Sequence, residues 1–96
     1  MELTQSIEGG KAVISIDGWL DTQTAPELAG ALSALGDEVD SLELDLTNLE
    51  YVSSAGIREI VAAHKKMGGN LVVSHVSPEV AEIFRLTGVG NRLNIV

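Results

Sequence analysis

Two adjacent serines, Ser53 and Ser54, precede an apolar stripe at helical spacing: Ile57, Ile60, Val61, His64 and Met67. The pattern predicts a helix with Ser54 at its N-cap, where a hydroxyl accepts from the free N–H groups one turn in. Those N–H groups and the helix dipole favour negative charge, so they would also accommodate a phosphoryl group. Two readings of Ser54 stand side by side here: a plain cap, or an acceptor for phosphorylation. Gly56 leaves out a side chain in the first turn, which suggests room for a partner's backbone or nucleotide. Asp21 and Asp45 each follow apolar strand-like residues and precede a turn. The ends of parallel strands converge on one edge, which would bring both carboxylates beside Ser54. Alternatively, each caps local amides, as aspartate does in turns.

Other chemistry finds little support. The G-x-S-x-G elbow of a serine hydrolase is absent around Tyr51-Val52-Ser53-Ser54-Ala55-Gly56. Of the two histidines, His64 falls on the helical stripe and is expected at a partly buried rim. His75 follows a strand and is expected in a loop or at an edge. Neither belongs to a metal-ligand pattern. The chain has no cysteine, so thiolate metal sites and cysteine nucleophiles are excluded. The glycine pairs are not followed by the Lys-Ser/Thr of a phosphate-binding loop. The expectation is a protein that is not an enzyme and uses no cofactor and no metal.

The elements that must hold these residues are short. Leu3–Ile7 alternates like a half-buried strand, and Gly9-Gly10 turns it into a second strand at Lys11–Ile16. Thr24 and Glu27 read as a capping box, with Pro26 in the first turn of a helix. Its apolar positions are Ala25, Leu28, Ala29, Leu32 and Leu35, and Gly36 is its expected stop. Leu42–Leu46 is a strand. The Ser54 helix runs to Gly68-Gly69, and Leu71–Val73 reads as a buried central strand. Ser77-Pro78 opens a third helix that carries Val80, Ile83, Phe84 and Thr87 to Gly88. Arg92–Val96 reads as a last short strand. The order β-β-α-β-α-β-α-β predicts an α/β domain over residues 1–96: a small mixed sheet with helices packed on it, joined by right-handed crossovers.

Composition bounds the partners. The 96 residues can bury one core, about 60–65% of the unfolded surface. Only Trp19, Tyr51 and Phe84 are aromatic, too few to stack successive bases of a single strand. The net charge of -8 is uneven. Residues 1–50 hold eleven acids and one base, whereas residues 51–96 hold three acids and five bases. Direct binding of nucleic acid or of an anionic membrane surface is disfavoured; the acidic half reads first as a source of solubility, and alternatively as a face for a basic partner. No apolar run approaches a membrane span. The first residues lack a signal-peptide pattern, so a soluble, cytoplasmic protein is expected.

The stretch Leu44-Asp45-Leu46-Thr47-Asn48-Leu49-Glu50-Tyr51-Val52-Ser53-Ser54-Ala55-Gly56-Ile57 resembles the signature of the STAS family, named for sulfate transporters and anti-sigma factor antagonists. Gly18-Trp19-Leu20-Asp21, Thr24-Ala25, Ser77-Pro78-Glu79-Val80 and Leu86-Thr87-Gly88-Val89 extend the resemblance along nearly the whole chain. In antagonist members, an anti-sigma factor that is itself a serine kinase phosphorylates a serine at the start of the second helix. Aligned on Gly56, that serine matches Ser54, with Ser53 as the second choice. The resemblance implies a bacterial partner-switching regulator of transcription. It would bind the kinase while Ser54 is unmodified, release it once phosphorylated, and be reset by a phosphatase acting on phospho-Ser54. Together with the cap argument, it places the partner-binding surface on Asp21, Thr24, Asp45, Ser53, Ser54, Gly56 and Ile57. The alternative within the family is a non-enzymatic subunit that stabilises an ABC transporter ATPase of the lipid-transport type.

Overall fold

A computed structural model describes all residues, 1–96. Strand β1 (Glu2–Glu8) turns at Gly9-Gly10 into β2 (Lys11–Leu20), and the two pair antiparallel with Leu3 opposite Ile16. Both turn glycines have positive φ, 55° and 87°, as a two-residue hairpin turn requires. Helix α1 (Ala25–Ser33) leads to β3 (Ser41–Asp45), and β4 (Leu49–Val52) leads straight into helix α2 (Ser54–Lys66). Then come β5 (Leu71–Ser74), helix α3 (Pro78–Thr87), a 3-10 turn at Val89–Arg92, and β6 (Asn94–Ile95).

The main sheet has the order β1-β2-β3-β5-β6, parallel from β2 onward. Each crossover moves the chain in the same direction across the sheet. Right-handed crossovers then put all three helices on the same face. The registers bear this out: Ala12 aligns with Leu42 and Leu71, and Ile14 with Leu44 and Val73. All six are buried, in one cluster with Leu28, Leu32, Ile60, Val80 and Phe84 from the helices. The alternate positions, Ser15, Glu43, Asp45 and Val72, lie only half-buried on the opposite, uncovered face. The smallest extent, 19 Å, is that of two layers.

Four expectations need correction. Helix α1 ends at Ser33, not Gly36, although Leu35 and Val39 still reach the core. Thr24 makes no capping hydrogen bond to its helix. Strand β2 runs on to Leu20 past a bulge at Gly18/Trp19. The segment before Ser53, to which the sequence pattern assigned no element, contains β4, which pairs in parallel with that extension. Strands β3 and β4 therefore lie end to end along one edge of β2. The third helix is as expected: Ser77 Oγ accepts from Val80 N–H at 3.2 Å, and Gly88 closes it with φ 75°.

Candidate functional site

The end of β2 and the end of β4 form one corner. Leu20 stands opposite Val52, so Asp21 and Ser53 leave the sheet side by side. The Ser53 N–H donates to the Leu20 carbonyl at 2.8 Å, which ties the start of α2 to the strand beside it.

The two serines divide the roles that the sequence assigned to one. Ser53 is the N-cap, extended at φ -91° and ψ 174°, and its Oγ accepts from Gly56 N–H at 3.3 Å. Ser54 is the first helical residue, and its side chain is exposed. The expected Ser54 cap is thus displaced by one residue.

The cause is Gly56. A Cβ placed there would lie 2.7 Å from Leu20 Cγ, 2.8 Å from the Leu20 carbonyl oxygen and 2.9 Å from Val52 Cγ2. The glycine faces inward and lets the first turn of α2 press against β2 and β4; it opens no path for a partner. Ile57, 8% exposed, also points largely to the core. Neither residue presents the open surface that the sequence suggested.

Asp21 is a loop-former. Its Oδ1 accepts from Gln23 N–H at 3.0 Å and Thr24 N–H at 3.1 Å. The Thr24 hydroxyl accepts from Asp21 N–H and donates to the Trp19 carbonyl, both at 2.8 Å. The Thr24 backbone bond is the main reason the Asp21 carboxyl sits below its ordinary pKa.

Asp45 belongs elsewhere. It aligns with Ser15 on β2, five residues before Leu20, or roughly 16 Å along the strand at the usual rise. The two aspartates therefore do not flank Ser54 together. Asp45 accepts from Thr47 N–H at 3.0 Å and from the Thr47 hydroxyl. The hydroxyl bond is the leading cause of its lowered pKa.

His75 Nδ1 lies 3.2 Å from Asp45 Oδ1 and also 3.2 Å from Ser74 Oγ. The Ser74 hydroxyl donates to Glu43 Oε2 at 2.7 Å, and Glu43 pairs with Lys11 at 3.2 Å. This places a serine, a histidine and an aspartate together on the uncovered sheet face, which sequence spacing did not reveal. They do not form a relay. A relay needs one imidazole nitrogen for the nucleophile and the other for the carboxylate, and here Nδ1 faces both. No group of three metal-ligating side chains gathers anywhere in the chain. His64 is half-buried on α2, as expected, with its Nδ1 unpaired.

The corner has one feature that the sequence reading missed. Trp19 and Tyr51 align across β2 and β4, their ring centroids 5.3 Å apart. They are 57% and 40% exposed, and each lies within three residues of Asp21 or Ser54. Partly exposed aromatic pairs are good anchors for a protein partner. The signal was in the sequence: two of its three aromatics stand just before Asp21 and Ser53.

Known proteins resemble this chain in sequence and in fold. BtrV of Bordetella bronchiseptica, named as a candidate anti-sigma factor antagonist, is 32% identical over 92 residues, covering 92% of this chain and 79% of its own length. The anti-sigma-B factor antagonist of Bacillus subtilis is 28% identical over 85 residues, 85% of this chain and 78% of its own. The crystal structure of an anti-sigma factor antagonist from Mycobacterium paratuberculosis superposes with a TM-score of 0.86 at 27% identity, over 98% of this chain and 83% of that one. The family model described as "Mlab, STAS domain" matches residues 3–96. The chain belongs to the STAS domain family.

Proposed function

We propose that this chain is an anti-sigma factor antagonist, a non-enzymatic cytoplasmic switch formed by a single STAS domain over residues 1–96. Unmodified, it binds an anti-sigma factor that is a serine kinase. Phosphorylation of Ser54 releases that partner, and a phosphatase acting on phospho-Ser54 restores binding. The names of the relatives support the antagonist role. The observation that carries the switch is the division between the two serines. Ser53 caps α2, while Ser54 is exposed one residue on. A phosphoryl group on Ser54 therefore alters the surface without removing the cap.

The partner surface in this reading is the corner itself: Asp21, Thr24, Ser53 and Ser54, with Trp19 and Tyr51 as anchors. Asp21 and the exposed Glu50 already make the rim acidic. A phosphoserine adds about -1.5 to -2 charges to that rim. Placing them against a partner's nucleotide site would cost on the order of 2–5 kcal/mol of binding, a loss of roughly thirty-fold or more.

The test uses the purified kinase partner. Mass spectrometry after incubation with ATP should place the phosphate on Ser54. Ser54→Ala should bind as tightly as the unmodified protein, Ser54→Asp more weakly, and Trp19→Ala at least ten-fold more weakly. Phosphate on another residue, or a Ser54→Asp variant that binds like wild type, would refute the switch. The second outcome would favour a constitutive subunit, such as one stabilising a transporter ATPase.

A further inference from the structure

A phosphate on Ser54 has one candidate ion-pair partner within the chain itself. Arg58 stands four residues along α2, and both side chains are exposed. Residues spaced i and i+4 on a helix have Cβ atoms about 5–6 Å apart. Side chains on a helix lean toward its N-terminus, so Arg58 leans toward the turn that carries Ser54. Nothing else on the helix competes for the guanidinium: the positions three and four residues away are Ser54, Ala55, Val61 and Ala62.

The other side of Arg58 supplies a second observation. Together with Lys65, Arg92 and the apolar Ile57, Val61 and Val89, it lines an open groove of about 460 Å³. The ion pairs of the fold are Lys11–Glu43, Arg85–Glu82 and His75–Asp45. Arg58, Lys65 and Arg92 thus share the groove with no acid partner on a protein of net charge -8. Moving Arg58 away from the other two cations costs no ion pair and relieves like-charge repulsion.

We propose that the Arg58 guanidinium pairs with the phosphate of phospho-Ser54 and swings off the groove rim when it does so. The inference rests on the phosphoserine reading of Ser54 and names what that modification changes within the domain. In the modifying step, Ser54 Oγ attacks the γ-phosphorus of ATP. The Oγ–P bond forms, the bond from phosphorus to the ADP oxygen breaks, and the hydroxyl proton passes to the kinase's base. The resulting dianion and the guanidinium form a charge-assisted, bidentate-capable pair. The groove rim then keeps Lys65 and Arg92 only. Phosphorylation therefore edits two surfaces at once, the corner around Asp21 and the groove one turn along α2.

The pairing can be tested without any partner, using full-length protein with phosphoserine genetically encoded at position 54. A ³¹P NMR titration reads the second ionisation of the phosphate. Pairing with Arg58 should hold it about 0.15–0.4 pH unit lower in the parent than in Arg58→Ala. Arg58→Lys should keep part of the shift, because it keeps the charge but not the planar fork. Lys65→Ala, far along the helix, should match the parent. The neighbouring acids Asp21 and Glu50 raise the value in every variant and cancel in the comparison. Raising salt from 0.05 to 0.5 M should shrink the difference. Circular dichroism confirms that each variant is folded, and Arg58→Gln replaces Arg58→Ala should the latter not be. An ionisation equal in the parent and in Arg58→Ala overturns the proposal, as does a larger change in Lys65→Ala. Because the phosphate is installed directly, failure of this pairing is distinct from failure of the kinase to use Ser54.

Discussion

Replacing Gly56 by alanine tests the packing that sets the whole corner. The added Cβ would lie 2.7 Å from Leu20 Cγ and 2.8 Å from the Leu20 carbonyl oxygen. The leucine side chain can rotate, but the carbonyl cannot, because it already accepts from Ser53 N–H at 2.8 Å. The first turn of α2 must therefore move outward. That strains a well-packed contact, at about 1–3 kcal/mol, and weakens a backbone hydrogen bond worth about 1 kcal/mol. The Ser53 cap loosens with it, at about 1 kcal/mol. Alanine's better helix propensity returns about 1 kcal/mol. The net expectation is a destabilisation of about 2–4 kcal/mol, a large share of the total stability of a domain this size. Gly30→Ala is the internal control. Gly30 lies in α1, is exposed, and has nothing within 4 Å of a built Cβ, so the same substitution there should stabilise by about 0.5–1 kcal/mol. Urea unfolding of the three proteins measures both effects, and the Tm should fall by roughly 10–25 °C for Gly56→Ala. A Gly56→Ala variant within 0.5 kcal/mol of the parent, with an unchanged urea slope, would refute the reasoning.

Two further expectations follow from the site's geometry. Ser53→Ala should cost about 0.5–2 kcal/mol through the lost cap, while Ser54→Ala should stay within about 0.5 kcal/mol of the parent; thermal melts that reverse this order would make Ser54 the cap. The carboxyls of Asp21, Glu43 and Asp45 all have pKa values below their ordinary 3.8 or 4.5, so the folded state holds fewer protons than the unfolded state as pH falls. Their contribution is fully present above those ordinary values and is lost as pH drops through the lowered folded ones. Urea midpoints should hold from pH 7 to 5 and fall between pH 4 and 2.5, less steeply for Asp45→Asn; a midpoint unchanged down to pH 2.5 would contradict this.

The parts legible in the sequence were those governed by local signals. The Gly9-Gly10 turn, the Ser77-Pro78 helix start and the Gly88 stop each depend on a few adjacent residues, and each stands where the pattern placed it. Strand β4 was hidden because Leu49-Glu50-Tyr51-Val52 buries only its two ends; it does not alternate, and only the extension of β2 beyond Gly18 gives it a partner. The capping box at Thr24 and Glu27 failed for a related reason. The Thr24 hydroxyl is taken up by the Trp19 carbonyl and Asp21 N–H, contacts created by the way β2 ends. The grouping of Asp21 with Asp45 assumed that all strands end at one level. The register puts Asp45 opposite Ser15, and no local pattern encodes an offset between neighbouring strands.

The same tertiary logic explains why two serines are needed where one seemed sufficient. Ser53 is committed: its N–H holds Leu20, its Oγ holds Gly56 N–H, and Gly56 has no space to move inward. A phosphoryl group on Ser53 would occupy the cap oxygen and push on the tightest contact in the corner. Ser54 carries none of these duties. A negative group there sits at a helix N-terminus, where an exposed charge is favourable by roughly 0.3–1 kcal/mol. The binding cost estimated for the proposed switch, 2–5 kcal/mol, is several times larger and opposite in sign. A switch of this kind works when the modification barely alters folding and strongly alters association. In the proposed switch the first condition would be met by Ser53 and Gly56, which hold the start of α2 in place. The second depends on what surrounds Ser54, namely the acidic Asp21 loop, the Trp19–Tyr51 pair and Arg58.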